Sequence, residues 1–214
     1  MNVVYLHGFA SGPSSAKAAF LAARFRQSGI SFEIPALDEG DFPNLTITRQ
    51  LNVVGQVVAG RPAVLIGSSL GGYLAALYAA RHSEVEKLVL LAPAFDFSRL
   101  WRRLISDAEM AEWRRTGWRK VYHYSQGLER DLSYQLIEDA STYEPFPDVS
   151  QPTLILHGRD DSVVPITSSY EFASARPNVA VLALRTGHEM TDVLDRVWRE
   201  AARFLGIRVG SLPI

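Results

Sequence analysis

Gly67-Ser68-Ser69-Leu70-Gly71 sets two serines among glycines where an apolar run, Ala63 to Ile66, gives way to a stretch rich in alanine and leucine. The spacing is G-x-S-x-G. A strand that turns sharply into a helix forces the central residue into strained backbone geometry, and small neighbours keep the tight bend free of collisions. The middle serine is then lifted clear of the sheet, with the N-terminus of the new helix aimed at it. That terminus carries unpaired N–H groups and partial positive charge, which suit a developing oxyanion. Ser69 is therefore the candidate nucleophile and Ser68 the small spacer.

A serine hydroxyl attacks well only when a base takes its proton. Of five histidines, His188 stands in RTGHEMTD, after the last apolar run and before the last helical period. This puts it on the same rim of a parallel sheet as Ser69. His7 and His157 each precede a glycine at a strand end, where local hydrogen bonding of the loops is the expected role. His82 ends a helix, and a surface or packing role is expected for His123. The base needs an orienting carboxylate. LILHGRDDSVVP supplies Asp160 and Asp161, one of which reads as a turn residue, and Asp96 offers an alternative site. An oxyanion needs two donors: Leu70 N–H is one, and the loop YLHGFASGPSS supplies the other through Phe9, with Ala10 as the alternative. A phosphate cradle is disfavoured because neither GxxxxGK[ST] nor GxGxxG is present. No cluster has metal-ligand spacing, so no metal and no cofactor are expected.

Positioning these groups requires a sheet. Apolar runs at Val3–Leu6, Phe32–Ile34, Ala63–Ile66, Lys87–Leu91, Thr153–Leu156 and Val179–Leu184 read as strands covered on both faces. Helical periods separate them at Pro13–Gln27, Thr46–Val58, Pro165–Ala175 and Met190–Leu205. Alternating strand and helix predict an α/β fold, a parallel sheet between two helical layers. Residues 96–147 break the rhythm: about fifty residues without an apolar strand run, carrying Trp101, Trp113, Trp118, Tyr122, Tyr124, Tyr134 and Tyr143, too long for a plain loop. They read as a helical lid insertion between core segments 1–95 and 148–214.

The chain has 214 residues, 47% of them hydrophobic, enough for a sizeable core. Net charge is −1 and there is no cysteine. Disulfides, thiolate metal sites and a cysteine nucleophile are thereby excluded, and no bulk attraction to nucleic acid or membrane is expected. A strand pattern directly after Met1 and the lack of a membrane-length apolar run make a soluble cytoplasmic protein the expectation.

In order along the chain, YLHGF, GSSLGG, LVLLAPA, LILHGRDDSVVP and TGHEM resemble an α/β-hydrolase, and within that superfamily the small bacterial YqiA/YcfP-like esterases. The resemblance implies about six mostly parallel strands, and the chain departs from the full fold in starting at what would be its third strand, so that the first antiparallel hairpin is missing. It also implies a Ser–Asp–His triad and hydrolysis of small-molecule esters through an acyl-enzyme. It places the nucleophile on Ser69, the base on His188 and the acid on Asp161, through the spacing G-x-x-D-x-V-V-P from Gly158 to Pro165. A thioesterase uses the same parts. A non-catalytic binding protein on the same fold is the competing class.

Overall fold

A computed structural model describes residues 1–208. In chain order the strands are β1 (Asn2–Leu6), β2 (Ser31–Glu33), β3 (Ala63–Ser68), β4 (Val85–Leu91), β5 (Trp118–His123), β6 (Leu128–Ser133), β7 (Thr153–Gly158) and β8 (Val179–Leu184). Six of them form one sheet in the order β2-β1-β3-β4-β7-β8, and every neighbouring pair is parallel. All its strands therefore end on one rim.

Side chains alternate across the pleat and build two cores. Val4, Leu6, Leu65, Leu88, Leu90 and Ile155 face one side, where α2 (Ile47–Val58), α3 (Leu70–Ala79) and α7 (Ile166–Ser174) pack. Val3, Tyr5, Val64, Ile66, Val89 and Leu156 face the other, under α1 (Ala16–Gln27) and α8 (Leu194–Leu205). Each fully buried Leu or Ile contributes about 1.5–3 kcal/mol over the exposed side chain. All ten residues of α3 are buried, which its glycines, alanines and leucines permit. The hydroxyls of Ser15 and Thr46 accept from backbone N–H groups and cap α1 and α2, so α1 begins at Ala16 rather than at Pro13. A short 3₁₀ turn, Thr191–Val193, precedes α8, which starts at Leu194 rather than Met190.

The insertion departs from expectation. It holds α4 (Phe97–Leu104), α5 (Asp107–Thr116) and α6 (Gln135–Ala140), but also an antiparallel hairpin of β5 and β6. Its outward face carries Trp118, Tyr122 and the Lys120–Asp131 ion pair. Charges interrupt both strands, so no continuous apolar run announces them. Nor is the segment a separate body. Phe97, Leu100, Trp101, Trp113, Leu132, Leu136 and Ile137 share one buried cluster with the residues of β1, β3 and β4. Among the described residues no helix is long and apolar enough to cross a membrane.

Candidate active site

Ser69 occupies the bend between β3 and α3 with φ 54° and ψ −118°, a region that side-chain-bearing residues enter at a cost. The turn is tight enough that a Cβ on Gly67 would meet the Gly71 carbonyl, and one on Gly71 would meet the Leu6 carbonyl of β1. The bend is held by Ser69 N–H donating to Leu91 O (2.8 Å) and Ala94 N–H donating to Ser69 O (3.0 Å). Ser68 is buried, whereas Ser69 is partly open.

His188 Nε2 lies 3.1 Å from Ser69 Oγ, and its Nδ1 lies 2.7 Å from Asp161 Oδ2. A carboxylate only accepts, so Nδ1–H donates to Asp161 and Nε2 is left to accept from the serine hydroxyl. Asp161 Oδ1 accepts from the N–H groups of Val163 (2.9 Å) and Val164 (2.8 Å). Its side chain is fully covered. Burial alone would push this carboxyl up. Hydrogen bonds from His157, His188 and the Val164 amide outweigh it and hold the group well below the usual carboxylate range.

The other candidates fall elsewhere. Asp160 is exposed, its N–H donating to Thr186 O. Asp96 caps α4 in the left-handed region and faces Arg99 at 3.9 Å. His7 donates from Nδ1 to Gly8 O and accepts at Nε2 from Leu37 N–H, which fixes the loop after β1. His82 stacks on Tyr78, and His123 packs edge-on to Phe42.

A Cβ on Gly8 would sit 3.5 Å from Ser69 Cβ, so the loop after β1 abuts the serine. Neither Phe9 N–H nor Leu70 N–H has a hydrogen-bond acceptor among the described residues. The Phe9 ring packs on Trp101 (5.5 Å), Phe97 (6.3 Å) and Phe42 (5.7 Å), so α4 backs this loop. Trp113 lies deeper, its Nε1–H donating to Leu132 O, while Trp118, Tyr122 and Tyr124 face solvent. Of the insertion aromatics singled out in the sequence, Trp101 is the one whose ring packs on Phe9 of this loop. A cleft of 90 Å³ lies between α4 and α7, lined by Phe95, Arg99, Phe146, Val164 and Pro165 among others. A larger hollow of 340 Å³ sits by the β2 edge, remote from this chemistry.

Two side chains near Asp161 have roles that the sequence reading did not assign. Lys17 of α1 is 9% exposed, 3.9 Å from Glu189. Burial pushes its ammonium below the usual lysine range, against the pull of the Glu189 and Asp161 carboxylates. His157, wholly buried, has Nε2 3.2 Å from Asp161 Oδ2.

The fold is that of the α/β-hydrolases. The mouse alpha/beta hydrolase domain-containing protein 10 superposes with TM-score 0.81 at 20% identity, over 96% of this chain and 89% of that one. A structure from Agrobacterium vitis S4 gives TM-score 0.78 at 25% identity, over 97% and 88%. In sequence the chain is 26% identical over 218 residues to the Bos taurus protein named mitochondrial palmitoyl-protein thioesterase ABHD10, covering 91% of this chain and 69% of that protein. From residue 2 to residue 205 it matches the model of the uncharacterised protein family UPF0227, and to that family it belongs.

Proposed function

We propose that the protein is a serine acyl hydrolase that cleaves carboxylic esters of small to medium acyl groups. The observation that carries this reading is the continuous chain from Ser69 Oγ through His188 to a buried, ionised Asp161, at a helix N-terminus. In this mechanism Ser69 Oγ attacks the carbonyl carbon while His188 Nε2 takes its proton. Phe9 and Leu70 N–H groups receive the oxyanion. His188 then returns the proton to the leaving oxygen, and the acyl group stays on Ser69. Water, deprotonated by His188, attacks the acyl carbon, and His188 passes that proton to Ser69 Oγ as the acid departs. Asp161 holds the imidazole in the required tautomer and stabilises its cationic form without taking the proton.

Thioesters are the second reading, favoured by the name of the bovine relative. The same steps serve, with a thiol as leaving group. A panel of esters and thioesters of increasing chain length, run on the wild type and Ser69→Ala, tests both. Ser69→Ala is expected to lose activity by about a thousandfold or more, and a fluorophosphonate probe to label the wild type alone. Equal labelling of both, or activity lost in Ser68→Ala and kept in Ser69→Ala, overturns the assignment.

A further inference from the structure

His157 sits one residue before the end of β7 and is wholly buried, yet both ring nitrogens have partners. Nε2 lies 2.9 Å from the carbonyl oxygen of Val164 and 3.2 Å from Asp161 Oδ2. Nδ1 lies 2.7 Å from the hydroxyl of Ser169, itself buried on α7. A carbonyl can only accept, so the ring proton resides on Nε2. Nδ1 must then accept, and the Ser169 hydroxyl donates to it. The Nε2–H is thus directed at Val164 O, with the Asp161 carboxylate lying 3.2 Å from the same nitrogen.

Asp161 Oδ1 accepts from the amides of Val163 and Val164 and Oδ2 is engaged by His188, while the His157 imidazole lies against Oδ2 at 3.2 Å. A carboxylate offers about four lone-pair sites, and three of them are engaged here, with the buried His157 ring packed beside the fourth. Two consequences follow. The carboxylate cannot rotate without breaking bonds at both oxygens, which fixes the direction in which His188 is held. The positive end of the His157 Nε2–H dipole beside Oδ2 also draws on that oxygen's charge, so its bond to His188 is weaker than that of a carboxylate without such a neighbour.

Resting on the triad reading above, we propose that His157 is a positioning residue for hydrolysis, a second imidazole that orients and moderates Asp161, with Ser169 holding it in the donating tautomer. It touches no substrate. Its effect passes through Asp161 to His188.

The test compares His157→Leu, which removes the donor, with His157→Gln, whose side-chain amide nitrogen can take the place of Nε2. His157→Leu is expected to lower kcat about tenfold or more with KM changed less than about threefold. His157→Gln should recover most of that loss, even though both variants disturb packing and lower thermal stability. The downfield proton resonance of the His188–Asp161 bond, read without substrate, should move further downfield in His157→Leu, because the second polar N–H beside Oδ2 is then gone. Should His157→Leu fail to fold, Ser169→Ala takes its place, with kcat expected to fall about threefold and the same resonance to move. Equal kcat in the Leu and Gln variants, or a resonance that stays put, overturns the proposal. An active Ser69→Ala would instead overturn the triad, so the two failures are told apart.

Discussion

Asp161 concentrates the electrostatics of the site in one residue. Its carboxyl is covered, and it is held well below the usual carboxylate range because the donors of His157, His188 and Val164 outweigh burial. A group depressed in the folded state stabilises the fold above its unfolded value, roughly 4, and that contribution is lost as pH falls through the folded value. The gap in melting temperature between wild type and Asp161→Asn should therefore be widest near neutrality and narrow steadily below about pH 4. Thermal denaturation across that range measures it, and a gap independent of pH would contradict the linkage. Much of the residue scale was legible in the sequence. Ser69, His188 and Asp161 each follow a strand that the apolar runs announce, and a parallel sheet brings such ends to one rim. His157 was legible only as a loop-holder: its bond to Asp161 depends on the chain folding back over Arg159 and Asp160, which no spacing rule encodes.

At the scale of elements, the turn between β3 and α3 is where the backbone is most tightly constrained. A Cβ on Gly71 would strike the Leu6 carbonyl of the neighbouring strand, while one on Gly29 would meet open space and only the strain of φ +67°. Gly71→Ala should accordingly lower the melting temperature by about 10 °C or more, and Gly29→Ala by roughly 2–4 °C, for about 1 kcal/mol. Comparable losses would show that the turn relaxes readily. The inner strands β1, β3, β4 and β7 were visible because burial on both faces makes them nearly continuous apolar runs, whereas the edge strands β2 and β8, expected to be covered likewise, are only half-buried. The hairpin of β5 and β6 was not. One face meets solvent, so Arg119, Lys120, Glu129 and Asp131 interrupt it, and the turn glycine, Gly127, is a weak signal among so many charges.

Over the whole molecule, the insertion and the sheet share a core, and α4 reaches the loop after β1 through Trp101 and Phe9. Trp101 is 7% exposed, so shortening it opens space behind Phe9 as well as costing stability, about 2 kcal/mol or more. In Trp101→Leu the ratio of kcat/KM for long over short acyl esters should rise about fivefold or more. An unchanged ratio would show that α4 supports the loop without shaping what it admits. The hairpin tip makes a second connection: the N–H of Tyr124, a residue whose side chain is largely in solvent, donates to the carbonyl of Ala10 at 2.8 Å. This one amide can exchange with deuterium only when the tip parts from the loop after β1. Its exchange rate is thus a clock for that opening. A phosphonate bound covalently at Ser69, with its oxygen on the Phe9 and Leu70 amides, should slow the clock at Tyr124 while leaving the amides of the outer helix α5 unaffected.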